Sequence, residues 1–230
     1  ASMRIAGFAA GPFQTNCYVV ANGDRAFVID PGLGAHEAVS QMAQEQGLNV
    51  EAVVLTHGHI DHIRDAAAFG VETFVHPADA FMLLRGEGVS EQARQLYDAS
   101  AMPPIDNPTP LEDGQTLQVA GVEMRVVHAP GHSPGCVMLV ADDVVFSGDV
   151  LFRGSIGRTD LPDSDPAQMH GSLRGPVWEL ADELQVLPGH GAATTVAHER
   201  ATRARLPERP KGADCKFAGE SLRGFKSLTW

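Results

Sequence analysis

The stretch Thr56-His57-Gly58-His59-Ile60-Asp61-His62 constrains this chain more than any other. It packs three imidazoles and one carboxylate into six residues, directly after the apolar run Ala52-Val53-Val54-Leu55. Such a run predicts a buried strand, and a strand opening into a donor-rich loop sets accessible chemistry on a rigid base. Imidazole nitrogen and carboxylate oxygen suit zinc and neighbouring transition metals. Histidines do collect in loops by chance, but four donors at this density argue against that reading. His57 and His59 alternate, so an extended loop can turn both to one side. Asp61 and His62 are adjacent, so they diverge and can serve a second centre. One catalytic zinc takes about three protein ligands plus water. Four donors here, with more downstream, point to two metals, which in hydrolases sit roughly 3.5–4 Å apart.

Three later segments repeat the design. Val126-Val127-His128-Ala129-Pro130-Gly131-His132 carries His132 into a Pro/Gly turn after a strand. Val144-Val145-Phe146-Ser147-Gly148-Asp149 ends a strand at a carboxylate, and Leu184-Gln185-Val186-Leu187-Pro188-Gly189-His190 ends one at an imidazole. Glycine beside each donor lets backbone come close to a metal.

On these motifs the chain resembles the metallo-β-lactamase-fold hydrolases, and within them the short type II glyoxalase-like branch. The matching segments are THGHIDH at 56–62, APGHSPG at 129–135, SGDVLF at 147–152, GRTD at 157–160 and LPGHG at 187–191, with Asn16-Cys17-Tyr18-Val19-Val20 and Val28-Ile29-Asp30-Pro31-Gly32 upstream. They span about 4–205. The resemblance implies a four-layer αββα sandwich. It implies that His57, His59 and His132 hold one metal, that Asp61, His62 and His190 hold a second, and that Asp149 bridges them. Asp30 would brace the metal loop from behind; it also suits a plain strand-ending turn. The implied reaction is metal-dependent hydrolysis: a metal-bridging hydroxide cleaves a thioester or ester, with an S-2-hydroxyacyl thiol as the first candidate. Asp61 and His190 are the catalytic candidates, Asp61 orienting the hydroxide and relaying a proton. Two divalent ions are implied, zinc first, with iron and manganese as alternatives.

Arg158 is the substrate-binding candidate. By resemblance, a basic residue here grips the glycine carboxylate of glutathione, and the guanidinium fork suits that task. Pairing with Asp160 or Asp163 is the equal alternative. Longer type II glyoxalases add a helical domain with glutathione contacts that this sequence does not include, so another thiol carrier is open. Rival functions are a one-iron persulfide dioxygenase, a lactonase, a promiscuous β-lactamase and a non-enzymatic metal module. Seventeen basic against 29 acidic residues give a formal charge of −12, which opposes a nuclease or other nucleic-acid partner.

At 230 residues and 43% hydrophobic content the chain can bury one full core. Strands are expected at 16–21, 25–30, 51–55, 115–119, 122–127, 136–140, 143–147 and 184–187. Helices are expected at 35–46, 61–69, 77–84, 90–98, 165–174 and 192–204. Alternation of the two makes this an α/β chain. Residues 99–114 suggest a surface connection. One catalytic domain is expected over 3–206, with 207–230 a flexible tail, a family-specific addition or an addition foreign to the natural chain. Ala1 and Ser2 read as an addition before Met3. No leader or membrane-length apolar run is evident, so a cytoplasmic location is expected. Cys17 and Cys136 read as buried structural thiols and Cys215 as a tail residue, without a disulfide framework. His128 reads as structural, and Ser133 and Ser147 as turn and packing residues. Tyr97, Met102 and Phe152 are candidates for an apolar wall of the pocket.

Overall fold

Alternation along the central strands dictates the architecture. In β2 (Thr15–Asn22), Tyr18 and Val20 point to one side while Cys17, Val19 and Ala21 point to the other, and all are buried. β3 (Arg25–Ile29) does the same, with Phe27 and Ile29 opposed to Ala26 and Val28. A sheet apolar on both faces must be covered on both. The computed structural model, which describes residues 3–203 and 226–229, meets this demand with four layers.

The first sheet holds β1 (Arg4–Ala10), β2, β3, β4 (Asn49–Val54), β5 (Glu72–Val75) and β6 (Thr109–Pro110) in that order, antiparallel from β1 to β3 and parallel beyond. The second comprises β7 (Thr116–Val119), β8 (Val122–His128), β9 (Val137–Ala141), β10 (Val144–Gly148), β13 (Gln185–Pro188) and β14 (Thr194–Thr195). A short hairpin, β11 (Leu151–Phe152) with β12 (Ser155–Ile156), lies between β10 and β13 in the chain.

The two sheets face each other across one core, where the rings of Tyr18 and Phe146 meet edge to face at 5.4 Å. Burying each large apolar side chain there contributes about 1.5–3 kcal/mol. Helix α1 (Ala35–Gln46) covers the outer face of the first sheet through Val39 and Met42. Helices α5 (Pro166–Arg174) and α6 (Val196–Arg203) cover the second, with Met169 and Val196 in its outer core. Asp165 caps α5 by accepting from the amides of Ala167 and Gln168.

The expected strands form with their ends shifted by a residue or two. β1 and β5 were not foreseen, because the small residues of Arg4–Ala10 and the brevity of Glu72–Val75 leave little periodic signal. Three expected helices are broken. Over 61–69 the helix α2 (Ile60–Ile63) stops because the Asp65 amide donates to Pro31 O at 3.0 Å instead of continuing the helix; a 3₁₀ turn at Ala66–Phe69 follows. Over 77–84 a 3₁₀ turn at Pro77–Asp79 sends the Asp79 carboxylate inward before α3 (Met82–Arg85). Over 192–204, Thr194 and Thr195 pair with β13 before α6 begins. The helix expected over 90–98 is α4 (Glu91–Leu96), capped by Ser90.

Residues 99–114 are more than a surface connection. β6 adds to β5, and Met102 and Leu111 are buried. Most of the expected tail, 207–230, and with it Cys215, lies outside the described residues; within it Lys226–Thr229 runs antiparallel to β1. No helix among the described residues is long and apolar enough to cross a membrane.

Candidate metal centre

Four strands each end in a donor loop, and the loops converge. β4 leads to His57, His59, Asp61 and His62; β8 leads to His132, β10 to Asp149 and β13 to His190. Ligand atoms of His57, His59 and His132 lie within 4.8 Å of one another, and so do those of Asp61, His62, Asp149 and His190. All seven candidates from the sequence are therefore brought together, and six are buried, His190 being partly open.

Hydrogen bonds behind the imidazoles fix which nitrogen faces inward. Thr56 Oγ1 donates to Asp30 Oδ2 at 2.6 Å, so at 3.0 Å it accepts the Nδ1–H of His57. His62 donates from Nδ1 to Asp30 Oδ2 at 2.8 Å, His132 to the Arg158 carbonyl at 2.7 Å, and His190 to the Phe13 carbonyl at 3.2 Å. Each of these four rings thus turns its Nε2 toward the shared space, the nitrogen left to face a metal once it carries no proton. His59 differs: its Nδ1 stands 3.0 Å from His132 Nε2.

The inward atoms crowd one another. His132 Nε2 and His190 Nε2 lie 3.2 and 3.3 Å from Asp149 Oδ2; His62 Nε2 lies 3.2 Å from Asp149 Oδ1 and 3.3 Å from Asp61 Oδ2; His190 Nε2 lies 3.2 Å from Asp61 Oδ2. Two ligands bonded at about 2.0–2.1 Å to one tetrahedral ion stand roughly 3.3 Å apart, so these spacings fit shared ions. His57 Nε2, His59 Nε2, His62 Nε2 and Asp149 Oδ1 are buried with no hydrogen-bond partner. Each such atom would cost about 1–3 kcal/mol if left unsatisfied. A divalent cation would satisfy them, and imidazole with carboxylate suits first-row metals such as zinc, iron or manganese. Gly189 completes the cradle: a Cβ there would stand 2.3 Å from Asp149 Oδ1.

The electrostatics are those of a cation site. Burial works against charge on Asp61 and Asp149, yet His62 and His190 outweigh it and hold both carboxyls well below the usual range. Burial would likewise discharge His190, but Asp149 and Asp61 raise it to about 10; His62 is raised by Asp149, Asp61 and Asp30. Burial pushes His57 down, with its His62 neighbour adding to the effect, and burial with His132 brings His59 to about 3.

Several supports escaped the sequence reading. Thr15 Oγ1 donates to Asp61 Oδ2 at 2.8 Å. Asn16 Nδ2 donates to the carbonyls of Pro188 and Gly191, and the Tyr18 hydroxyl to Pro188 O, so β2 clamps the His190 loop. The Asn16-Cys17-Tyr18 motif was the available signal. Arg158 acts on the site through its backbone carbonyl. Its guanidinium makes a two-pronged bond to Asp160, at 2.6 and 2.9 Å, the alternative that the sequence had offered beside a carboxylate clamp.

Other residues have structural surroundings. Cys17 and Cys136 are buried free thiols, pushed up by burial. His128 donates to Pro134 O and stacks on His76. Ser147 Oγ donates to Leu151 O. Of the apolar wall candidates, Tyr97 is fully buried and its hydroxyl accepts the Phe13 amide at 3.0 Å, whereas Phe152 sits edge to face 5.9 Å from His190.

Known proteins share this fold. A sequence profile of the Metallo-beta-lactamase superfamily matches residues 10–190. Hydroxyacylglutathione hydrolase GloC of Haemophilus influenzae is 36% identical over 200 residues, covering 82% of this chain and 91% of its own. TTHA1623, solved in a di-iron-bound form, superposes with a TM-score of 0.74 at 37% identity, over 85% of this chain and 97% of that one. The BLEG-1 B3 metallo-beta-lactamase gives 0.76 at 32% identity, over 86% and 96%. With four donor loops on two facing sheets and matches of this extent, the chain belongs to the metallo-beta-lactamase superfamily, where its likeness to GloC supports the glyoxalase II-like branch.

Proposed function

We propose that this protein is a dinuclear metallohydrolase that cleaves a thioester or ester, an S-2-hydroxyacyl thiol first among them. Asp149 carries the reading. Its Oδ2 lies 3.2 Å from His132 Nε2 and its Oδ1 lies 3.2 Å from His62 Nε2, so one carboxylate touches donors of both sets. In this reading His57, His59 and His132 hold one ion; Asp61, His62 and His190 hold the other; Asp149 spans them. When bound, two divalent ions supply a water that ionises near neutral pH and a Lewis acid for the carbonyl. Zinc is the first candidate and iron the second, the latter supported by the di-iron neighbour.

The chain's own groups do the rest. Asp61, whose Oδ2 accepts from Thr15 at 2.8 Å, would orient the attacking water and relay its proton. A thiolate leaves without needing that proton, which favours thioesters over amides. His190 is the donor closest to solvent, its side chain 19% exposed, so substrate approaches past it and Phe152. Arg158 takes the carboxylate of a glutathione-type carrier when Asp160 yields its place. Free, buried Cys17 and Cys136 fit a reducing compartment, in keeping with a cytoplasmic enzyme. The formal charge of −12 favours a small-molecule substrate over nucleic acid.

The test is a substrate panel on metal-loaded protein: S-D-lactoylglutathione, an acyl-homoserine-type lactone and a β-lactam. Thioester cleavage faster than the others, abolished by a chelator and restored by metal, is expected. Metal-loaded protein that cleaves none of them would overturn the proposal.

A further inference from the structure

Asp79 lies outside the seven donors, on the 3₁₀ turn Pro77–Asp79 that follows β5, and it is fully buried. Its carboxylate faces two donor loops at once. From the loop after β4, the amide of Gly58, between His57 and His59, donates to Oδ2 at 2.9 Å. From the loop after β8, Ser133 Oγ, next to His132, donates to Oδ2 at 2.6 Å, and the Gly135 amide donates to Oδ1 at 2.6 Å. Cys136 Sγ stands 3.1 Å behind Ser133 Oγ; with the serine proton given to Asp79, the thiol donates to Ser133. Gly135 approaches so closely that a Cβ there would lie 2.6 Å from Asp79 Cγ.

These two loops come from different sheets, β4 from the first and β8 from the second. Besides Asp79, a backbone bond from Val137 N to Thr56 O at 2.9 Å also joins them. That bond fixes the strand ends. Asp79 fixes the loop residues adjoining all three imidazoles of one donor set.

We propose that Asp79 is a positioning residue that sets the separation of the His57/His59 loop from the His132 loop, and so the affinity of the three-histidine metal site. This rests on the reading of His57, His59 and His132 as one site. Two amides and a hydroxyl all donate, so only a group accepting at both oxygens serves. Asparagine would turn an NH₂ against one of these donors. The Asp61/His62/His190 site is braced instead by Asp30, Thr15 and Phe13 and does not share the strut.

The experiment is a stepwise Co(II) titration of the full chain in competition with a chromophoric chelator, read by visible absorption, on wild type, Asp79→Asn and Ser133→Ala, with a thermal melt of each metal-free protein. Wild type is expected to take two ions in two steps. Asp79→Asn is expected to weaken one step tenfold or more and to alter its d–d spectrum, leaving the other step within about twofold. Ser133→Ala, which removes one of the three bonds, is expected to weaken the same step by less. If Asp79→Asn fails to fold, Ser133→Ala decides. Wild type binding two ions, with both steps unchanged or equally weakened in the deciding variant, overturns the role of Asp79. Wild type that binds no ion through the three histidines overturns the underlying site instead, and the inference with it.

Discussion

His62 donates its Nδ1–H to Asp30 Oδ2 at 2.8 Å, from a residue whose own backbone is left-handed, φ 55°. Aspartate tolerates that conformation better than most side chains. At the end of β3 it aims the carboxylate under the donor loop, where Oδ1 also accepts the Thr56 amide at 2.8 Å and Oδ2 the Thr56 hydroxyl. One buried carboxylate thereby sets the tautomers of His62 directly and His57 through Thr56.

Replacing that carboxylate should loosen metal rather than unfold the chain. Asp30→Asn is expected to weaken metal binding about 10–100-fold, measured by chelator competition, with circular dichroism of the native type. Unchanged affinity would show that the imidazoles are held by something else.

Metal uptake should be coupled to proton release. In the metal-free cluster Asp149 and Asp61 hold His190 protonated, up to about 10, and His62 is raised as well. A ligand must lose that proton before it binds, so below the raised values affinity falls as pH falls. Isothermal titration in buffers of differing ionisation enthalpy reads the number released. At pH 7 at least one proton per chain is expected, whereas zero would contradict the site's charge balance.

Arg158 and Asp160 make opposing predictions about the carrier. If the guanidinium takes a substrate carboxylate, Arg158→Ala raises KM for S-D-lactoylglutathione several-fold, on the order of 1 kcal/mol for an exposed pair, with kcat unchanged. Asp160→Asn, which removes the competing carboxylate, lowers KM. A KM indifferent to both changes would leave Arg158 with only its backbone role toward His132.

The core should be sensitive on its own terms. Phe146 is 1% exposed and packs on Tyr18 between the sheets. Phe146→Ala is expected to cost about 3–5 kcal/mol by urea unfolding. A loss below about 1 kcal/mol would mean the sheets do not meet there.

The site was legible where chemistry and local sequence coincide. His57, His59, Asp61 and His62 share one loop, and His132, Asp149 and His190 each follow an apolar strand, so donor type and position announced them. What holds them was not legible, because it acts across long separations or through backbone. Thr15 reaches Asp61 over 46 residues, Asp79 reaches Gly135 over 56, and Phe13 and Arg158 contribute carbonyls that carry no side-chain signature. In the fold, strands with branched apolar runs such as Ala52–Leu55 were plain. The helices expected over 61–69 and 77–84 failed where Asp65 and Asp79 are drawn into tertiary bonds that end the helix.

The central claim is a pair of metals spanned by Asp149. The most direct test counts metal per folded chain, in wild type and Asp149→Ala prepared with and without oxygen, beside hydrolysis of S-D-lactoylglutathione. About two ions per wild-type chain with thioester cleavage, and loss of metal and nearly all turnover in Asp149→Ala, are predicted. One iron per chain, with oxygen uptake on glutathione persulfide and no thioester cleavage, would contradict it, as would full turnover in Asp149→Ala.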